Sequence, residues 1–169
     1  MLGHVGIARH DAASTLLTLV FVRHGARGTG VASALLDAVA AEVERVGLPR
    51  RTVLYVHSGN AAAKTLYAAR GFVDTGVRVR REDGVGSSEM WAAEDGCLPC
   101  SRPRSHSITV TCAPPSGSAI ARWILEDPAI DGSKRNMNLR GATEAELVRE
   151  LDAYAASLGD VRSLWAAAS

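Results

Sequence analysis

Two short groups of residues in this chain have the types and spacing that chemistry requires. The first is Arg27-Gly28-Thr29-Gly30, leading into Val31 and Ala32. Backbone N–H groups converge on an anion only where side chains do not obstruct them and positive φ is tolerated, and a helix start behind them adds a favourable dipole. The N–H groups of Gly28 to Ala32, with the Arg27 side chain, therefore suit an anion. The same spacing also describes a plain glycine-rich strand-to-helix turn. The second group follows Val56 and comprises Asn60, Ala63 and Leu66-Tyr67, then Gly71-Phe72. Ala63 and Tyr67 are four apart and share a helical face, so a small side chain leaves room for a ligand beside a phenol. Each residue has an ordinary alternative: Asn60 as a cap, Tyr67 as core, Gly71 as a helix stop.

The elements that must position these groups are legible in the pattern. Residues 2–9 and 15–23 read as strands, the second nearly all apolar as in a strand buried on both faces. From Val31 the apolar positions follow helical spacing, with Glu42 the polar exception, until Gly47 and Pro49. Residues 52–57 form a short strand. Asn60 caps a helix running to Arg70, which Gly71 closes. Residues 72–81 and 87–91 alternate as a hairpin, giving ββαβαββ. The stretch 94–107 is rich in Pro, Ser, Gly and charge and reads as a linker. Beyond it, 108–112 is a strand, 118–126 a helix, a second helix opens at Thr143, and 161–168 is a strand.

Bulk properties limit the partners. At 169 residues and 47% hydrophobic the chain builds one ordinary core. Its net charge is +1, which supplies no global field for nucleic acid or an anionic membrane. Without an apolar spanning run or a leader pattern, the expectation is a soluble cytoplasmic protein. The three cysteines, Cys97, Cys100 and Cys112, do not read as a disulfide framework. With His106 they have loose zinc spacing, but their gaps fit no standard finger, so no metal is expected. The run Arg78, Arg80, Arg81 reads as a solvated strand edge.

Taken together, residues 21–36 and 56–72 resemble the acyl-CoA turn, helix, strand and helix of the GNAT superfamily of N-acetyltransferases. The resemblance implies an α/β fold with a mixed central sheet flanked by helices, acetyl-CoA as co-substrate, and transfer of an acetyl group to an amine. It implies that Phe21 and Val22 engage the acyl-pantetheine arm along a splayed strand edge. Residues Arg27, Gly28, Thr29, Gly30, Val31 and Ala32 would bind the pyrophosphate, Asn60 and Ala63 would line the cofactor, and Tyr67 would protonate the departing thiolate. The family usually carries Gln or Arg where this chain has Gly25, and Pro is common at the position of His24. Many relatives place a carboxylate base on the strand before the glycine turn; here that strand reads Leu16-Leu17-Thr18-Leu19-Val20. His4, on the neighbouring strand, is the candidate base, with a water chain as the alternative.

The last part of the chain resembles the beginning of the same fold. Residues 108–110 look like its first strand, and 121–128 with 135–137 like the first helical region of the enzymes that acetylate ribosomal-protein N-termini. Residues 163–168 look like its second strand, which leads into a third found here at Gly3 to Ile7. The expected organisation is an acetyl-CoA half at 1–93, a linker at 94–107, and an N-terminal-type half at 108–169. These form one circularly permuted domain, a dimer that swaps halves, or the middle of a tandem protein. Extended at about 3.3 Å per residue, the linker spans roughly 45 Å, enough to cross one domain. The expected acceptor is a small-molecule or protein N-terminal amine, and the rival reading is an inactive acyl-CoA-binding or dimerisation module.

Overall fold

The second half of the chain joins the first in a single sheet. A computed structural model describes residues 2–80, 87–94, 108–113 and 162–168, with Ala145 and Arg149 as isolated helical positions. Its elements are β1 (Gly3–Arg9), β2 (Thr15–Val22), α1 (Val31–Val46), β3 (Thr52–His57), α2 (Ala61–Ala68), β4 (Val73–Arg80), β5 (Ser87–Ala93), β6 (Ile108–Ala113) and β7 (Arg162–Ala168). The first seven follow the ββαβαββ order read from the pattern. The expected helix at 118–126 lies outside the described residues. So do the linker, apart from Glu94, and most of the helix opening at Thr143.

The seven described strands form one sheet in the order β4-β5-β3-β2-β1-β7-β6. Only β2 and β3 run parallel; every other neighbouring pair is antiparallel. β1 thus sits between β2 and β7, with Gly3 opposite both Val22 and Ala166. The C-terminal strands extend the sheet in the adjacency that the resemblance implied, β6 to β7 to β1.

α1 packs on the face that carries Val5, Ile7, Leu17, Leu54, Leu164 and Ala166. Its own contribution is Val31, Leu35, Leu36, Val39 and Val43, at the spacing that lines one helical face. Gly3 lets the helix approach closely. A Cβ there would lie 2.8 Å from Val31 Cγ1 and 2.9 Å from Leu35 Cδ1.

Glu42, the polar exception on this helix, is buried because two arginines meet it. Arg45 donates to it from the next turn at 2.7 Å, and Arg162 donates from the start of β7 at 2.8 Å. The bonds from Arg45, with those from Arg162, outweigh burial and hold the carboxyl down at about 2. A folded-state value below the ordinary 4.5 adds stability that is present above about pH 4.5 and lost as pH falls towards 2. We expect Glu42→Gln to flatten the acid limb of an unfolding-versus-pH curve in that window. An unchanged limb would remove this assignment.

Candidate active site

Parallel pairing puts the ends of β2 and β3 at the same end of the sheet, so the segments that follow them are brought together there. The pairing is short. It covers Thr15–Leu17 against Thr52–Leu54. Beyond Leu17, β2 carries one extra residue relative to β1: His4 faces Phe21, but Gly6 faces Thr18. The bulge includes Leu19 at φ 51°, the one non-glycine residue with positive φ among the described residues. A left-handed bulge bends its strand and disrupts the ladder. β2 is therefore buried through Thr18 but only half-buried from Leu19 to Val22. This corrects the expectation of a strand buried on both faces throughout: beyond Leu17 its second half, with Phe21 and Val22, no longer pairs with β3, and the unpaired interval between the two strands is the candidate cleft.

After β2, a single 3₁₀ turn (His24–Ala26) leads to the glycine pair. Gly28 and Gly30 adopt φ of 78° and 90°, and no atom lies within 4 Å of the Cβ either would carry. Thr29 ties the turn by donating to the Ala26 carbonyl at 2.7 Å. Arg27, exposed, donates from Nε to the Val22 carbonyl at 3.2 Å, which fixes its guanidinium beside the end of β2. Gly30 is the N-cap of α1 and has no side chain to cap it, and the first turn holds no acidic residue. The first N–H groups of a helix have no partner within it. Those at Val31 and Ala32 are left as donors at the positive end of a 16-residue helix. The arrangement suits a phosphate.

α2 follows β3 at the same end of the sheet. Asn60 is its N-cap, the Oδ1 accepting from the Ala63 N–H at 3.1 Å, so the cap expectation holds and its side-chain NH2 remains as a donor. Ala63 is half-buried and Tyr67 buried at 6% exposure, with its ring centroid 5.7 Å from that of Phe72. Gly71, at φ 79°, ends the helical segment.

His4 lies on the opposite face of the sheet from α1, fully buried. Its Nδ1 is 3.0 Å from the Leu19 carbonyl. A carbonyl only accepts, so the Nδ1 carries the hydrogen and Nε2 is a bare acceptor. Nε2 is buried with no hydrogen-bond partner among the described residues, as is the Ser163 Oγ. The ring rests against Trp165 with centroids 4.2 Å apart. Burial takes its pKa from 6.5 to about 4 despite the opposing bond to Leu19. His4 is neutral at pH 7.

Three features had no visible signal in the chain. Arg70, only 2% exposed, donates to Asp37 Oδ1 at 2.5 Å and to the Ser33 carbonyl at 2.6 Å, tying the end of α2 to the first turns of α1. Before Gly71 it looked like an ordinary basic residue at a helix end. Glu89 on β5 accepts from Lys64 at 2.9 Å and from the Trp91 indole at 3.3 Å, and the Lys64 bond keeps its pKa low. The Leu19 bulge is the third. Of the basic run, Arg78 forms a bidentate pair with Asp74 on an exposed strand. Arg81, Cys97, Cys100 and His106 lie outside the described residues, and Cys112 falls on β6. No helix among the described residues is long and apolar enough to cross a membrane.

Comparison with known proteins agrees with this architecture. Residues 1–92 match the family described as acetyltransferase (GNAT) domain. No curated protein matches the chain. Among solved structures, a GNAT-family protein of Desulfovibrio desulfuricans is 19% identical with a TM-score of 0.50, over 57% of this chain and 62% of that one. Ard1 from Thermoplasma volcanium is 24% identical with a TM-score of 0.48, over 54% and 63%. The ribosomal-protein-S18-alanine N-acetyltransferase of Escherichia coli is 23% identical with a TM-score of 0.46, over 60% and 66%. The chain thus spans less than two thirds of the length of each of these three. With a matched family covering more than half of its residues and the expected mixed sheet flanked by helices, the chain belongs to the GNAT acetyltransferase family.

Proposed function

We propose that the protein is an acetyl-CoA-dependent N-acetyltransferase in which an amine attacks the thioester directly. The observation that carries this reading is an uncapped helix N-terminus, behind two left-handed glycines, that follows β2 beyond the point where its pairing with β3 stops. Residues 27–32 hold the pyrophosphate. Phe21 and Val22 line the acyl-pantetheine arm, with Asn60, Ala63 and Tyr67 across from them. The neutral amine adds to the carbonyl carbon, a C–N bond forms, and the C–S bond breaks. The thiolate takes the proton of the Tyr67 hydroxyl, and the proton from the amine leaves through water.

His4 fits the base role poorly. An imidazole with a pKa of about 4 draws weakly on the proton of an amine, and no solvent reaches its ring. The acceptor in this reading is a peptide or protein N-terminal amine, or a small amine. Residues 1–93 and 108–169 make one domain in circularly permuted order within one chain, a reading that the β1–β7 pairing and the Glu42–Arg162 bond support. Exchange of the same halves between two chains is the dimeric form of that order. We place the protein in the cytoplasm.

The second reading, an acyl-CoA-binding module without turnover, is favoured by the lack of a carboxylate on β2 and the burial of His4. Release of CoA from acetyl-CoA with a panel of amines separates the two. We expect Tyr67→Phe to slow turnover by about 10²-fold while leaving acetyl-CoA affinity nearly intact. Lost affinity with unchanged turnover would defeat the role of Tyr67. Saturable acetyl-CoA binding without CoA release for any amine would favour the second reading.

A further inference from the structure

His4 is an odd occupant for its position. The site is fully buried, and its Nε2 atom has no hydrogen-bond partner among the described residues. A buried acceptor left unbonded is destabilising, and an apolar ring of similar size would avoid that cost. What the imidazole provides that such a ring cannot is the Nδ1–H donated to Leu19. Leu19 is the residue at positive φ, and it lies in the register shift that separates the buried half of β2 from the half lining the cleft. A leucine gains nothing from a left-handed conformation, since its Cβ crowds the following carbonyl there. Something outside β2 must hold it.

We propose that His4 is a positioning residue: by donating from Nδ1 to the Leu19 carbonyl, it holds the β2 bulge and sets the course of Phe21 and Val22 along the cleft. The contact to Trp165 orients the ring for that bond, so β7 braces the cleft from two strands away. This assignment rests on the acetyltransferase reading only for its catalytic consequence. The geometric part stands on the sheet alone.

The test uses the whole chain with two substitutions. His4→Phe keeps a ring beside Trp165 and loses the donor; His4→Asn puts an amide N–H near the place of Nδ1 and loses the ring. We expect amide exchange over Thr18–Val22 to quicken about tenfold in His4→Phe, with β1–β7 amides still protected, and to stay near the parent rate in His4→Asn. Under turnover, kcat should fall about tenfold in His4→Phe with the KM for acetyl-CoA little changed, and His4→Asn should recover most of it. Nitrogen NMR of the unsubstituted protein adds an arm that needs no variant to fold: the hydrogen should sit on Nδ1 at pH 7. An Nε2–H tautomer, or unchanged exchange at Thr18–Val22 in a folded His4→Phe, would overturn the proposal. Failure of the unsubstituted chain to bind acetyl-CoA would instead overturn the acetyltransferase reading, and the exchange and tautomer results would still decide the role of His4.

Discussion

Replacing Arg70 by Met should lower the unfolding free energy by about 3–5 kcal/mol, the usual cost of removing one partner from a buried ion pair. For a chain of this size that corresponds to a midpoint about 10 °C lower. The reason lies in the partners. Arg70 is 2% exposed, and it serves both the Asp37 carboxylate and the Ser33 carbonyl. Methionine fills much of the same volume but satisfies neither group. Asp37 is less buried than its partner, at 20% side-chain exposure, so water recovers part of its loss and the lower end of the range is the better expectation. Urea denaturation with an unchanged m-value reads the effect directly. A loss below about 1 kcal/mol would mean that the bond is incidental, at the level of an exposed pair. The same substitution tests a link to function, because Ser33 belongs to the first turn of α1 and Arg70 follows the helix that carries Tyr67.

Gly30→Val should weaken acetyl-CoA binding by about tenfold to a hundredfold with the fold retained. Two effects combine. A β-branched residue at φ 90° is strained by about 1–2 kcal/mol and will relax towards negative φ if the turn permits. That relaxation re-aims the N–H groups of Val31 and Ala32, and each charge-assisted bond lost from the pyrophosphate costs about 1.5–3 kcal/mol. The open space around the Gly30 Cβ direction matters here, since steric collision with the protein cannot be the cause of the effect. Gly30→Asn is the control: asparagine tolerates the left-handed region, so it should bind several-fold better than the valine variant. Calorimetric titration distinguishes the outcomes. Equal affinity in the parent and Gly30→Val would take the pyrophosphate away from this turn.

Much of this was legible before the structure, and for identifiable reasons. Strand and helix limits in the first ninety residues followed from apolar period and from Gly47, Asn60 and Gly71, residues whose backbone or capping chemistry is local. The glycine turn was legible for the same reason. What could not be seen depended on residues far apart in the chain. Glu42 looked like a flaw in an apolar helical face until Arg162 arrived from β7 to complete it. Nothing about Arg70 at its helix end announced Asp37 and Ser33 as its partners. The half-buried second part of β2 came from a bulge at Leu19, and leucine is not a residue whose type announces positive φ. His4 was legible as a titratable group facing the site strand. Its role was not, because whether an imidazole titrates near neutrality depends on burial.

The sheet order has a kinetic consequence. β1 precedes every other described strand, yet one of its two neighbours is β7, so Gly3 waits for Ala166 before that edge is paired. Closing a loop of that length costs roughly 2 kcal/mol more entropy than closing one of ten residues. Contacts of such separation slow folding. During synthesis the β7-facing edge of β1 therefore stays unpaired until the segment carrying β7 has been made. At about 5–20 residues per second that interval is on the order of ten seconds or more, long enough for a chaperone or a neighbouring nascent chain to find it. Low-temperature expression or chaperone supply should matter more for the yield of this chain than for a relative whose strands pair with their sequence neighbours.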